Sequence, residues 1–241
     1  MSTNLEYQED FTFDESCFTK YGVSFQSVLS IFHKVARTHA ELLGVGFESM
    51  LSQNSLWIDA RIKYQILQQP KPNQKLIIKT YPSGTHVIQY YRDYLIFDEY
   101  GNLLIKGISI MCLIDMFTRH AKLIKTEIPV LENMPSVFED RFLKTETFDP
   151  PFLADYSYQV QVDDIDQNKH VNNTVYAKLV DNVMQLSHKK IKFFQINFIK
   201  ETLLGERLDI YKLEQDNMVK LLGKVCEGTT KFTALIETEE E

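Results

Sequence analysis

The chain has 241 residues, and 26 Lys and Arg against 33 Asp and Glu give a net charge of −7. That balance lacks the basic footprint of a nucleic-acid-binding protein, so no nucleic-acid partner is expected. With 44% apolar and 12% aromatic residues and only 9 Gly and 7 Pro, the sequence can bury a core and is neither disordered nor collagen-like.

The first ten residues carry no basic run and no apolar run, so no secretory signal is read there. The longest strongly apolar stretch, residues 110–114, is far short of the roughly 20 residues of a membrane-spanning helix. Cys17, Cys112 and Cys226 are scattered without a C-x-x-C pair, which points to reduced thiols in a cytoplasmic or stromal setting.

Past Gly22, the residues Val28, Ile31, Phe32, Val35, His39 and Leu42 recur at helical spacing and Gly44 supplies a stop, predicting one long amphipathic helix. Strands are predicted at 56–67, 75–81, 87–97 and 103–114, separated in part by turn-forming runs at 70–73 and 98–102. Pro129, Pro135, Pro150 and Pro151 punctuate an irregular stretch. We therefore expect an N-terminal domain at 1–135, a linker at 136–150 and a C-terminal domain at 151–241. In the second half, Val171, Val175, Leu179, Val183 and Leu186 predict a helix, followed by strands at 193–202, 207–213, 218–226 and 230–237. The acidic tail, 237–241, is expected to fray.

Helix followed by strands thus occurs twice. Asn73-Gln74-Lys75-Leu76 precedes Gly205-Glu206-Arg207-Leu208 by 205 − 73 = 132 residues, and the same offset sets Gln69 opposite Glu201. The fold class is α+β. Two tandem hot dog domains, each an antiparallel sheet wrapped around a long helix, fit the order, and so does a generic pair of α+β domains.

The segment from Asp163 to Tyr176 gathers carboxylates, amides and an imidazole ahead of a helix. In an extended lead-in, Asp166, Asn168 and His170 fall at i, i+2 and i+4 and share one side. The helix start beyond them would offer backbone N–H groups to a carbonyl oxygen gaining negative charge. The same residues also suit a plain loop with Asn172 or Asn173 as helix cap.

The stretch resembles the D-x-N-x-H-V-N-N-x-x-Y signature of the plant and bacterial acyl-ACP thioesterases, with every fixed letter present. Leu56-Trp57-Ile58-Asp59-Ala60-Arg61, the run from Tyr90 through Arg92-Asp93 to Met116-Phe117-Thr118-Arg119, and Phe198-Ile199-Lys200-Glu201-Thr202 are similar to further segments of that family. The resemblance covers roughly residues 11–237. It implies a tandem hot dog thioesterase that releases free fatty acid from acyl carrier protein, with Asp166, Asn168, His170 and Glu201 as its catalytic set. A carbonyl–sulfur bond is open to attack by a positioned water, so no protein nucleophile is required.

Under that resemblance Glu201 is the general base, on a strand facing a buried acyl tunnel. Asn168 orients the water or holds the carbonyl, His170 donates to the carbonyl or the leaving thiolate, and Asp166 fixes the geometry of the other two. Many plant members carry a cysteine after the glutamate. Thr202 stands there in this chain, which leaves water attack. The first half lacks a D-x-N-x-H set and has Gln69 at the duplicated position, so one active site per chain is expected. Phe32, Val35, Leu42, Leu56, Ile62 and Tyr64 are candidate lining for the acyl tail, although apolar residues at such spacing also make plain core.

The expected partner is acyl carrier protein bearing a fatty acyl phosphopantetheine. It is acidic, and the compact basic clusters are Arg119, His120, Lys122 and Lys125, and His188, Lys189, Lys190 and Lys192. Each is equally readable as a solvated face. No G-x-S-x-G elbow, P-loop or G-x-G-x-x-G turn is present, and the remaining histidines lack metal-ligand spacing, so no metal or organic cofactor is expected. A hydrolase acting on acyl-CoA and a non-catalytic acyl-thioester sensor are the competing readings. A monomer and a homodimer are both compatible with the sequence.

Overall fold

A computed structural model describes residues 5–123, 136–139, 142, 147–151, 153–166, 169–184, 189–226 and 228–239. In chain order the elements are β1 (Tyr7–Phe11), β2 (Phe18–Thr19), β3 (Gly22–Val23), α1 (Phe25–Leu42), α2 (Phe47–Ser52), β4 (Ser55–Ile66), β5 (Leu76–His86), β6 (Gln89–Asp98), β7 (Leu103–Asp115), β8 (Tyr156–Gln159), α3 (Asn173–Met184), β9 (Lys190–Phe198), β10 (Arg207–Gln215), β11 (Met218–Val225) and β12 (Thr230–Glu239). The chain divides into two compact units that interleave along the sequence. The first is Met1–Thr12, Ile31–Gln68 and Asn73–Arg141, and the second is Phe13–Ser30, Gln69–Pro72 and Phe142–Glu241.

In the first unit an antiparallel sheet runs in the order β1-β5-β6-β7-β4. Side chains alternate along β6, so Tyr90, Arg92, Tyr94 and Ile96 share a face. Phe32 of α1 stacks on Tyr94 with ring centroids 4.2 Å apart and meets Tyr64 edge-on at 6.1 Å. Gly107 of β7 makes room for that ring, since a Cβ there would lie 2.4 Å from Phe32 Cε2. Arg92, also buried, sits with Nη1 3.0 Å from His39 Nδ1 and 3.3 Å from Thr80 Oγ1. β5 passes through Pro82, which a sheet tolerates because the register shifts between Pro82 and Gly84.

The strands of the second unit pair antiparallel in the order β9-β12-β11-β10-β8. α3 buries Val175, Tyr176, Leu179, Val180 and Val183. The Tyr176 ring packs 5.7 Å from Phe198 and 5.3 Å from Phe232. The spacing predicts a strand to residue 202, but β9 ends at Phe198 because the Ile199 and Lys200 amides both turn to the Lys231 carbonyl, at 2.8 and 3.2 Å. Of the acidic tail expected to fray, residues 237–239 belong to a strand, while Glu240 and Glu241 lie outside the described residues. β12 continues through Glu239, which pairs with Lys190 and forms an ion pair with Lys192.

The start of α1 shows how its backbone donors are satisfied. Four N–H groups at a helix N-terminus lack helical partners. The Ser24 amide donates to the Cys17 carbonyl at 2.9 Å, and the Ser24 side chain accepts from Ser27 N at 3.1 Å. The carboxylate of Asp181, from α3, takes the amides of Phe25 and Gln26 at 2.9 Å each and the Tyr21 hydroxyl at 2.6 Å. Burial pushes the Asp181 carboxyl up to about 6, against the downward pull of Tyr21 and the two amides.

Two measurements follow from this packing. Gly107→Ala should destabilise the protein by about 1–3 kcal/mol in urea titration, since the methyl must displace a closely packed ring. For Asp181, a folded pKa raised from its ordinary 3.8 means that the native state binds more protons than the unfolded chain between about pH 4 and 6. Its contribution is therefore fullest below pH 4 and is lost as pH rises through about 6. The stability of wild type relative to Asp181→Asn should fall across that window by on the order of 2–3 kcal/mol.

Candidate active site

Asp166 and His170 are drawn together by main-chain contacts and do not stand apart as the extended i, i+2, i+4 reading assumed. Ile165 and Val171 form an isolated antiparallel bridge, and Asp166 N donates to His170 O at 2.8 Å. Lys169 N donates to Asp166 O at 3.0 Å, with Lys169 in the left-handed region at φ 66°. Asp166 Oδ1 accepts from His170 N at 3.3 Å, so its carboxylate tightens the turn that presents the imidazole. Asn168 lies outside the described residues.

Asn172 is the helix cap. Its Oδ1 accepts from Thr174 N at 2.9 Å, and its carbonyl accepts from Val175 N at 2.9 Å. These two amides are therefore occupied and do not face a ligand. Ahead of the turn, buried Asp164 accepts from Gln161 N and from the Tyr158 hydroxyl, each at 2.8 Å. Its carbonyl receives Asn172 N at 2.8 Å, which ties the cap to the segment before the turn. Burial, with Asp164 beside it, pushes the Tyr158 phenol up to about 12.

Glu201 stands in the loop after β9, on an exposed segment and not on a strand facing an apolar tunnel. Its Oε2 is 3.0 Å from His170 Nε2, with the imidazole 21% and the carboxylate side chain 43% exposed. Both partners are thus open to water and to a substrate arriving from solvent. Val171 N donates to Thr202 O at 3.0 Å, a main-chain bond that aligns the two segments. Thr202 itself is buried. Burial pushes the adjacent Tyr176 phenol up to about 12, opposed by hydrogen bonding to Thr202.

The residues proposed to line an acyl tail lie along the first unit. Phe32, Val35, Leu56, Ile62 and Tyr64 are buried there, whereas Leu42, the last residue of α1, is 68% exposed and lines no interior. Gln69, at the position duplicated in Glu201, has a structural task. Its Oε1 accepts from Val23 N at 3.2 Å, and its amide fills the space beside Gly22 where a Cβ would fall 2.4 Å from Oε1. In the basic clusters, Lys122 reaches Ser55 Oγ at 2.9 Å, Lys189 pairs with Glu214 at 3.3 Å and Lys192 with Glu239, while Lys125 and His188 lie outside the described residues. Among the described residues, no three His, Cys, Asp or Glu side chains converge as a metal site requires, and no helix is long and apolar enough to cross a membrane.

Sequence reasoning passed over Lys231 and Glu206, whose side chains meet behind the Glu201 loop at 2.9 Å. The available signal was a lysine opening an otherwise apolar strand, Lys231-Phe232-Thr233-Ala234-Leu235-Ile236.

The family model for the acyl-ACP thioesterase N-terminal domain matches residues 5–130, and that for the C-terminal domain matches residues 153–238. An acyl-ACP thioesterase from Bacteroides thetaiotaomicron is similar in structure, with a TM-score of 0.87 at 19% identity, over 99% of this chain and 100% of that one. The 12:0-ACP thioesterase from Umbellularia californica gives a TM-score of 0.88 at 18% identity, over 99% and 98% of the two chains. No curated protein matches by sequence. The structural likeness establishes the shared α+β, hot dog type of fold. With both family domains matched in order along the sequence, the chain belongs to the acyl-ACP thioesterase family.

Proposed function

We propose that this chain hydrolyses the thioester of acyl-[acyl carrier protein] by base-assisted attack of water, releasing free fatty acid. The observation that carries the mechanism is the 3.0 Å contact between His170 Nε2 and Glu201 Oε2. A carboxylate that accepts from an imidazole N–H is held in one orientation, leaving its second oxygen to take a proton from water. The hydroxide adds to the thioester carbonyl, the carbonyl–sulfur bond breaks, and the proton gained by Glu201 returns to the thiolate through His170. Asp166 serves by tightening the turn that bears His170. Asn168 is proposed, from the family resemblance, to supply its side-chain amide to the carbonyl oxygen as negative charge develops.

Thr202 fits this reading. A buried hydroxyl packed against Tyr176 takes no part as a nucleophile, so the attacking group is water. The free Cys17, Cys112 and Cys226 support a reducing, cytoplasmic setting.

In steady-state hydrolysis of acyl-ACP, Glu201→Ala and His170→Ala should each lower kcat by about 10²–10³-fold while KM stays within about threefold, because both groups act on the transition state. Asp166→Asn keeps an acceptor for the His170 amide and should cost less. Full turnover in Glu201→Ala would remove the base assignment. Parallel assays on acyl-CoA decide the substrate: kcat/KM far higher on acyl-CoA than on acyl-ACP would establish the other thioester, and binding of acyl-ACP with hydrolysis of neither would establish a sensor.

A further inference from the structure

Lys231 is the second residue of β12, and only 5% of its side chain is exposed. A buried ammonium needs partners for its charge and its hydrogens. All of them come from one loop. Nζ donates to the Glu201 backbone carbonyl at 2.7 Å and to both carboxylate oxygens of Glu206, at 3.0 and 2.9 Å. Glu206 in turn accepts from Leu203 N at 2.8 Å, and its own amide donates to Leu203 O at 3.2 Å. Burial works against the Glu206 charge, yet Lys231 and the Leu203 amide outweigh it and hold the carboxyl below its ordinary range.

The loop is therefore fastened from both ends. The Lys231 carbonyl receives the Ile199 and Lys200 amides at its start, and the Lys231 ammonium holds Glu206 at its end and the Glu201 carbonyl in its middle. The Glu201 side chain is 43% exposed and has several rotatable bonds, so its direction toward His170 depends on where its backbone is held.

We propose that Lys231 and Glu206 are positioning residues for thioester hydrolysis, an ion pair between a buried ammonium and a half-buried carboxylate that fixes the 199–206 loop so that the Glu201 carboxylate stays within hydrogen-bond distance of His170. This rests on Glu201 as the base. The loop has no regular secondary structure, and a displacement of about 1 Å at a catalytic group can cost about 100-fold in rate.

The test is the double variant Lys231→Met/Glu206→Leu, which removes both charges together and leaves no unpaired ion in the interior. Expected are a Tm close to wild type, KM on acyl-ACP within about threefold, and kcat lower by about 10- to 100-fold. In a Glu201→Ala background the same pair of substitutions should cause no further loss, since the clamp then has nothing to position. A pair whose role is only to stabilise the fold would return full kcat once Tm is restored, and that result overturns the proposal. Losses that multiply with those of Glu201→Ala overturn it as well. Should the double variant melt below the assay temperature, Lys231→Arg keeps the cation while shifting its donors. Lowered kcat at retained Tm supports the clamp, and unchanged kcat overturns it. Full turnover in Glu201→Ala alone removes both the base and its clamp, whereas a crippled Glu201→Ala beside a fully active pair variant removes the clamp only.

Discussion

The main-chain hydrogen bond from the Val171 amide to the Thr202 carbonyl joins two loops more than thirty positions apart, and the candidate chemistry is assembled around it. One residue before it lies His170 and one residue before its acceptor lies Glu201, so a single backbone contact sets both side chains at the same place. Neither loop is part of a sheet ladder. Each is held by specific partners: the bridge and Asp166 on one side, Lys231 and Glu206 on the other. Such loops let polar side chains reach water while rigid elements, here α3 and the β9–β12 pair, carry the positional information.

Much of this was legible in the sequence. The strands at 56–67, 103–114 and 207–213 and the helix past Gly22 are announced by alternation or helical spacing, with Gly44, at φ +73°, just beyond the end of α1. Of the markers of the second helix, Val175, Leu179 and Val183 lie in α3, Val171 precedes it in a bridge with Ile165, and Leu186 lies outside the described residues. The polar cluster from Asp163 to Tyr176 stands out ahead of a helix, whereas Glu201 is singled out only by the resemblance of residues 198–202 to a segment of the family. The geometry of the turn is not legible there. Whether Asp-x-Asn-x-His runs extended or doubles back depends on the pairing of Ile165 with Val171, a tertiary event that local spacing does not encode. Asp181 was hidden for a related reason. It sits on the buried side of α3 among apolar residues, and its partners, the first amides of α1, lie over 150 positions away.

The first unit shows a different economy of the same fold. The position that the repeat sets opposite Glu201 is an amide, Gln69, which counts with the second unit and holds the backbone at Val23. The sheet interior of the first unit contains polar chemistry of its own, a guanidinium against an imidazole in Arg92 and His39. The neutral imidazole nitrogen can accept from the guanidinium, so a buried cation is accommodated without a carboxylate at that contact. Phe32 meanwhile occupies the notch left by Gly107, which shows how a single missing side chain on a strand decides where the helix can settle.

Membership of each unit is not contiguous along the polypeptide: residues 13–30 and 69–72 count with the C-terminal portion. No single scission of the chain separates the halves intact. A fragment beginning in the proline-punctuated stretch would forfeit Tyr21, which donates to Asp181, and Gln69, which props β3, leaving a carboxylate in α3 with its ligands gone. Whatever duplication produced the repeated helix-and-strand order, the C-terminal unit is completed only by stretches drawn from the first third of the chain.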